Sequence, residues 1–445
     1  MTEVTLPQVL DARERRAQIQ RELLSYGTVL SFCMNIPGPV KFSPLIERTF
    51  ELGLCLLQNA LKENSISIIK KVEIREVTGP EFICALSCSP QVAKNICVKI
   101  EDSTSAGRLF DMDILDSQGN KLEREKERTC LVCGKSGRYC ASRRLHSVKE
   151  LQEAVRKIMV NTFMELDSQT ISFLASSALE KEVKTTPKPG LVDLNNTGSH
   201  RDMDISTFEK SIESLRSYWA DCFKTGVSHR DSECFSLLRE RGKEAEKAML
   251  EATGGVNTHK GAIFLLGTLC CACGRLWTAY RMCTDPLTLT GECSNLYRQT
   301  SVEDYKAITE KKGPLTRGEE FYLKYNLKGA RGELENGFKS VLDTSLPVYE
   351  KALNESFSEN DSAVFALLSL IALGEDTNMI SRGGYDKAMK YASLIGALIS
   401  SDSYPSMDRV HEADEEFIKE NLSPGGCADL LAVTIFLHDL RSFYA

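Results

Sequence analysis

Asp111 and Asp113, in GRLFDMDILDSQG, are spaced to share one side of a strand, because side chains of an extended chain alternate between its two faces. Carboxylates so placed can hold one Mg2+ against phosphate oxygens during phosphoryl or nucleotidyl transfer, and Arg108 just before them can neutralise a further phosphate. A solvated strand face ending in a turn is the plainer alternative. Downstream, Cys130, Cys133 and Cys140 precede His146 in the order and rough spacing of a Cys3His zinc site. Buried or redox-labile thiols would leave the same pattern. From Lys121 to Arg144 eight basic residues stand against three acidic ones, a surplus that suits phosphates or an acidic protein partner as well as a solvated surface.

The second half carries a different set. TPKPGLVD, residues 186–193, sets Lys188 between two prolines and before Gly190. Such a restricted loop offers an ammonium to a phosphate, or serves as a stiff connector between helices. His200-Arg201-Asp202-Met203-Asp204 holds a second spaced carboxylate pair, with Asp202 and Asp204 as candidate metal ligands and His200 as a structural or phosphate hydrogen-bonder. Gly254-Gly255-Val256-Asn257-Thr258-His259-Lys260-Gly261 precedes an apolar helix, whose free N–H groups are expected to cradle an anion with His259 and Lys260. The order differs from GxxxxGK[ST], since the lysine comes before the last glycine and no Ser or Thr follows. Asp376-Thr377-Asn378 with Arg382-Gly383-Gly384, and the later Ser423-Pro424-Gly425-Gly426-Cys427-Ala428-Asp429, add candidate carboxylates in Asp376 and Asp429 and a candidate phosphate contact in Arg382. Asp429 reads equally as a local charge at a helix start. Three glycine pairs imply close approach of backbone to something, or unaided turns between helices.

The elements that must position these groups are legible in the pattern. A chain of 445 residues with 42% hydrophobic residues and 55 Lys plus Arg against 62 Asp plus Glu is neither disordered nor collagen-like, and suits two or three domains. Its mild acidity argues against binding nucleic acid by the backbone. The start shows no apolar signal segment, and the longest apolar stretch, Gly261 to Gly274, is shorter than the roughly 20 residues a bilayer span needs, so a cytoplasmic protein without a membrane segment is expected. The sixteen cysteines are expected to be mostly reduced and buried. Residues 1–165 read as a mixed α/β domain. Ser43-Pro44 starts a helix with Ile46, Phe50, Leu54 and Leu57 on one face; SISIIKKVEIREV and EFICALSC read as strands about the turn Thr78-Gly79-Pro80; and GRLFDMDILDSQGNKLE reads as a strand and hairpin turn. Helical periodicity runs from near Ser147 toward Thr185 with a break at Leu166-Asp167-Ser168, which puts the domain boundary inside 160–175. Residues 166–445 read as a predominantly α-helical bundle, from segments such as FEKSIESLRSYWADCF, GAIFLLGTLCCACGRLWTAY and ADLLAVTIFLHDL.

PGPVKFSPLIERTFELG, GRLFDMDILDSQG and CLVCGKSGRYCASRRLHSV together resemble the holo-citrate lyase synthase family over roughly residues 5–165. That resemblance implies transfer of a phosphoribosyl-dephospho-CoA group to a serine of the apo acyl carrier (gamma) subunit of citrate lyase, with release of pyrophosphate. TPKPGLVD, HRDMD, GGVNTHKGAIFLLG, LKGARGELENGF, DTNMISRGG and NLSPGGCADLLAVT, in that order, are similar to triphosphoribosyl-dephospho-CoA synthase. That second resemblance implies synthesis of 2'-(5''-triphosphoribosyl)-3'-dephospho-CoA from ATP and 3'-dephospho-CoA, with release of adenine.

The chain therefore reads as a bifunctional fusion, transferase in 1–165 and synthase in 166–445, with nucleotide substrates and the carrier subunit as partners and neither nucleic acid nor membrane. For the synthase, Asp202 and Asp204 with Asp376 or Asp429 are the carboxylates that would orient or deprotonate the attacking hydroxyl. Lys188, His259, Lys260 and Arg382 are the expected triphosphate contacts, with Arg331 and Glu333 as a second tier. In the transferase, Asp111 and Asp113 would hold Mg2+ on chemical grounds, and the carrier's acidic surface would meet the Lys121–Arg144 region. The competing readings are a zinc-containing adaptor or scaffold, which would release no adenine, and an ATP-dependent phosphotransferase, which would release ADP or AMP.

Overall fold

Phe110, Met112 and Ile114 alternate with Asp111, Asp113 and Leu115 along β4 (Phe110–Leu115), the first three fully buried and the others partly exposed, as a strand with one covered face requires. A computed structural model describes residues 2–230, 233–315, 317–399 and 404–444. The chain packs as two units, Met1–Leu166 and Asp167–Ala445.

In the first unit α1 (Leu6–Leu23), β1 (Thr28–Met34), α2 (Pro44–Glu63), β2 (Ile68–Glu76), β3 (Gly79–Leu86) and α3 (Pro90–Ser103) precede β4; α4 (Gly137–Ser142) follows it. The four strands form one antiparallel sheet in the order β2-β3-β1-β4. One face, with Phe32, Phe82 and Met112, packs against Phe50, Leu54 and Leu57 of α2 and Ile96 and Ile100 of α3. Phe32 stacks on Phe50 at 4.6 Å between ring centres. Each such ring, fully buried, contributes about 1.5–3 kcal/mol. On the other face Val29, Ile83 and Ala85 meet Leu23 of α1. α2 starts where the sequence predicts, with Ser43 Oγ accepting the Ile46 N–H and Pro44 in the first turn. Helix α3 is an element the sequence pattern does not predict above, although Ala93, Ile96, Cys97 and Ile100 recur at helical spacing and are buried.

The expected break at Leu166-Asp167-Ser168 is absent: α5 (Val148–Lys184) runs through it. Asp167 and Ser168 are buried within the helix, and the Asp167 carboxylate accepts hydrogen bonds from Trp277 Nε1 at 2.7 Å and the Tyr444 hydroxyl at 3.0 Å. These polar residues are satisfied by tertiary partners and do not interrupt the helix.

The second unit is helical among its described residues. After α5 come α6 (Ile205–Ser228), α7 (Cys234–Ala252), α8 (Lys260–Leu276), α9 (Pro286–Glu310), α10 (Arg317–Tyr325), α11 (Ala330–Glu335), α12 (Leu346–Asn354), α13 (Glu359–Ala372), α14 (Thr377–Gly383), α15 (Tyr385–Ile399), α16 (Met407–Lys419) and α17 (Gly425–Tyr444). Nearly every residue of α8 from Ala262 to Gly274 is buried, as are Ser362 to Ile371 of α13, so these wholly apolar segments are core helices. No single described helix is long and apolar enough to cross a membrane. All sixteen cysteines are free thiols.

Candidate functional site

In the first unit Asp111 and Asp113 stand on one side of β4 and open on a cavity of about 430 Å3, whose walls also include Lys94, Lys121, Arg124 and Lys126. Asp113 Oδ1 lies 2.6 Å from Lys121 Nζ, and the Cys33 thiol donates to Asp111 Oδ2 at 3.8 Å. Burial, then the neighbouring Asp111 charge, raises the Asp113 pKa against the opposing effect of Lys121. Because β4 is an edge strand, its outward backbone groups need other partners. Glu101 Oε1 accepts the Met112 N–H at 3.0 Å and Arg128 Nη1 donates to the Phe110 carbonyl at 2.9 Å. Glu101, 3% exposed, also pairs with Arg128 and Arg124. Lys94 and Glu101 are not among the predicted site residues, since they lie on α3. Arg108, expected at a phosphate, does not line this cavity and donates to the Thr129 carbonyl instead. The ligand atoms of Cys130, Cys133, Cys140 and His146 all lie within 4.8 Å of one another.

The second unit holds two cavities that share walls. One, of about 230 Å3, is lined by Glu333, Glu375, Asp376, Asp429 and Ser340; the other, of about 460 Å3, by Arg239, Lys243, Lys260, Lys328 and Arg331. Leu327, Lys328, Gly329, Ala330 and Thr377 line both, so segment 327–330 lies between an acidic and a basic chamber. Lys260 pairs with Glu246, Lys328 with Glu335 and Arg239 with Asp304 along the basic one.

Two carboxylates of the acidic chamber sit at helix starts. Asp376 Oδ1 accepts the Met379 N–H at 2.7 Å and Oδ2 the Cys427 N–H at 2.8 Å, which ties the first turns of α14 and α17 to one side chain. A Cβ on Gly426 would come within 2.9 Å of that Oδ2. Asp429 of α17 accepts the Ala262 N–H at the start of α8, and a Cβ on Gly261 would fall 1.9 Å from its Oδ2. Burial, first of all, raises the pKa of Glu333, Asp376 and Asp429; for Asp429 the charges of Glu182 and Asp376 add to it. Glu333 Oε2 and Ser340 Oγ are buried close together without a hydrogen bond of ordinary geometry.

Several expectations are corrected by this arrangement. The anion expected at the start of α8 is the protein's own Asp429 carboxylate. Lys188 does not present its ammonium to a ligand: it is 2% exposed, and Nζ donates to the Glu182 carbonyl at 2.7 Å and to Glu182 Oε1 at 2.6 Å. It is an internal counter-charge in the acidic region. His259 is buried, its Nδ1 2.7 Å from Ser211 Oγ, and burial together with the Lys188 charge pushes its pKa down to about 3, so it stays neutral and adds no charge toward a phosphate. Asp204 spends Oδ1 on the Thr207 N–H as the cap of α6, while the Asp202 side chain is 66% exposed beside His200. They form no converging pair and line neither chamber. Arg382 Nη1 donates to the Ser199 carbonyl at 2.8 Å, and its Nη2 lies 3.1 Å from His200 Nδ1, so it holds the HRDMD loop in place. Of the glycine pairs, Gly254-Gly255 meets open space at positive φ and is a turn. The residues missed are Arg239 and Lys243 of α7, and Lys328 and Glu375. Arg331 and Glu333, ranked second by the sequence reading, line the chambers.

Comparison with known proteins matches the two units in order. Residues 4–162 match the family model of apo-citrate lyase phosphoribosyl-dephospho-CoA transferase, and residues 168–445 that of ATP:dephospho-CoA triphosphoribosyl transferase. "Protein CitXG" of Haemophilus influenzae is 33% identical over 459 residues, covering 99% of this chain and 97% of its own length. "Protein CitXG" of Leuconostoc mesenteroides subsp. cremoris is also 33% identical, over 98% of this chain and 97% of its own. The 2-(5''-triphosphoribosyl)-3'-dephosphocoenzyme-A synthase of Haemophilus ducreyi is 36% identical over 69% of this chain and 99% of its own. These likenesses set aside the adaptor and phosphotransferase readings. With both family models matched in succession and full-length likeness to fused relatives, the chain belongs to the family of bifunctional transferases that join an apo-citrate lyase phosphoribosyl-dephospho-CoA transferase to an ATP:dephospho-CoA triphosphoribosyl transferase.

Proposed function

We propose that the second unit makes 2'-(5''-triphosphoribosyl)-3'-dephospho-CoA in its paired chambers, and that the first unit passes the phosphoribosyl-dephospho-CoA group to a serine of the apo carrier subunit of citrate lyase, in the cytoplasm. The boundary between the activities falls near residue 166. The observation that carries the synthase reading is the sharing of segment 327–330 by an acidic and a basic chamber. The triphosphate of ATP lies along Lys260, Lys328 and Arg331, and ribose C1' reaches the carboxylates. There the 2'-hydroxyl of 3'-dephospho-CoA attacks C1': the C1'–O bond forms, the C1'–N9 bond breaks, and adenine leaves with the electron pair and takes a proton from solvent. Glu333, whose raised pKa and unpartnered Oε2 suit it to the task, accepts the hydroxyl proton. Asp429 and Asp376, held by backbone N–H groups, stabilise positive charge developing at C1'.

Buried Asp376 and half-buried Asp429, both of raised proton affinity beside one chamber, fit a divalent cation and would hold Mg2+, which would supply charge for the triphosphate, while Glu333 serves as the base. In the first unit Asp111 and Asp113 fit the same ion. There the carrier serine hydroxyl, losing its proton to solvent, bonds through oxygen to the phosphorus next to the ribose as the bond from that phosphorus to the bridging oxygen breaks and pyrophosphate leaves. Lys94, Lys121 and Arg124 neutralise the departing charge, and exposed Lys126 steers the acidic carrier. The test is chromatographic detection of adenine from full-length protein, ATP, Mg2+ and 3'-dephospho-CoA, followed by addition of apo carrier and intact-mass analysis. Adenine formed only in the complete mixture is expected; a folded, Mg2+-supplied protein that releases none refutes the synthase mechanism.

A further inference from the structure

We propose that Cys130, Cys133, Cys140 and His146 bind one structural zinc ion, and that this ion holds the basic segment that walls the cavity of Asp111 and Asp113. This goes beyond the two transferase activities and stands whether or not their mechanisms hold. The four ligand groups converge. Cys133 Sγ lies 3.4 Å from Cys140 Sγ and 3.3 Å from His146 Nε2, and all four ligand atoms fall within 4.8 Å of one another. A tetrahedral ion with Zn–S bonds of about 2.3 Å sets its sulfurs about 3.8 Å apart, so the cluster is already near the required size.

The backbone is folded as such a site needs. The Cys130 N–H donates to the Lys135 carbonyl at 2.6 Å, the Gly134 N–H donates to the Cys130 carbonyl at 3.0 Å, and Gly134 takes φ +72° with open space around it. The second arm is α4, capped by Ser136 Oγ, which carries Cys140; the chain then reverses at Arg144, φ +48°, and returns His146 to the cluster. Between Asp116 and Ser147 only Cys130 and Cys140 are buried, so the segment has no hydrophobic core of its own, and stretches of that kind need a cross-link or a metal.

Four protein ligands leave no open coordination position, which makes the ion structural. Three thiolates around Zn2+ leave one negative charge, offset by the surrounding lysines and arginines. The cluster is joined directly to the cavity wall. The Gly137 N–H donates to the Arg128 carbonyl at 3.0 Å, while the Arg128 side chain reaches Phe110 and Glu101. Glu127 Oε1 accepts the Ser136 hydroxyl at 2.7 Å and the Arg138 N–H at 3.0 Å. Fixing the cysteines therefore fixes Lys126 and Arg128.

The test uses the full-length protein purified without chelator: zinc content by plasma mass spectrometry, zinc-edge X-ray absorption, and intact mass, for the parent, Cys133→Ala, Cys140→Ala and the exposed-thiol control Cys55→Ser. Expected are one zinc per chain and a shell of three sulfurs at about 2.3 Å and one nitrogen at about 2.0–2.1 Å. Retained zinc should fall at least about tenfold in each ligand variant and not in Cys55→Ser, with tryptic cleavage in 116–147 accelerated and helix content by circular dichroism kept. A folded parent that retains no zinc after incubation with zinc sulfate and desalting overturns the proposal. So does a parent two hydrogens lighter through a Cys133–Cys140 disulfide, or zinc content unchanged in both ligand variants.

Discussion

Gly261→Ala is the sharpest perturbation of the acidic chamber, because one methyl group would be set directly against Asp429. Its Cβ would lie 1.9 Å from Oδ2 and 2.8 Å from Cγ, where ordinary contact begins at 3.4 Å. The carboxylate must therefore retreat by about 1.5 Å, and a displacement of about 1 Å in a reacting group costs on the order of 10²-fold in rate. That corresponds to about 2.7 kcal/mol in the barrier to adenine release. Stability moves less: replacing a helical glycine by alanine contributes about 0.5–1 kcal/mol against an overpacking cost of about 1–3 kcal/mol, a net loss of roughly 0–2.5 kcal/mol. Both tryptophans, Trp219 and Trp277, lie in the second unit, so urea unfolding followed by tryptophan fluorescence reports on that unit alone. The assay is kcat for adenine release from ATP and 3'-dephospho-CoA, beside transfer from preformed precursor to apo carrier by the same protein. Expected are a loss of about 100-fold or more in the first activity, unchanged transfer, and a cooperative unfolding curve. Parental kcat in a folded Gly261→Ala protein would show that Asp429 has no part in the reaction.

Further outcomes follow from the charges. The Asp429 pKa is raised above its unfolded value, so its contribution to stability is full below the unfolded pKa and is lost as pH rises through the folded one. In chelator, Asp429→Asn should be more stable than the parent at neutral pH, the difference vanishing toward pH about 4, while adenine release is abolished; equal urea midpoints across that range would contradict the burial argument. For His259 the sign is opposite: its folded pKa of about 3 means stability present above the unfolded value and lost as pH falls below about 6.5, a slope that His259→Gln should flatten in acid titrations followed by fluorescence. Lys188→Ala leaves Glu182 buried and unpaired and should cost about 3–5 kcal/mol in unfolding free energy with the KM for ATP unchanged in the folded fraction; a raised KM at parental stability would restore it as a phosphate contact. Lys126→Glu should lower kcat/KM for carrier modification about three- to tenfold at low salt and leave adenine release alone, and transfer kinetics that match the parent would move the carrier contact elsewhere.

What the sequence determined by itself is what repeats over a turn of helix or a few residues of strand. Ser43-Pro44 starts α2, the alternation in FDMDIL places Asp111 and Asp113 together, the unbroken apolar run after Gly261 makes a buried helix, and ordered motifs identify both families. Local pattern also limited that reading. Asp167-Ser168 resembles a helix stop until Trp277 and Tyr444 supply its partners. Lys188 and His259 resemble phosphate contacts until Glu182 and Ser211 enclose them. Only the tertiary structure decided that Asp429 meets the start of α8, that Asp376 ties α14 to α17, and that Arg239, Lys243, Lys328 and Glu333 line two chambers with a common wall. The physical reason is that propensity, capping and periodicity act between near neighbours in the chain. Which buried charge finds which partner depends on how helices distant in sequence pack, and on the desolvation that packing imposes.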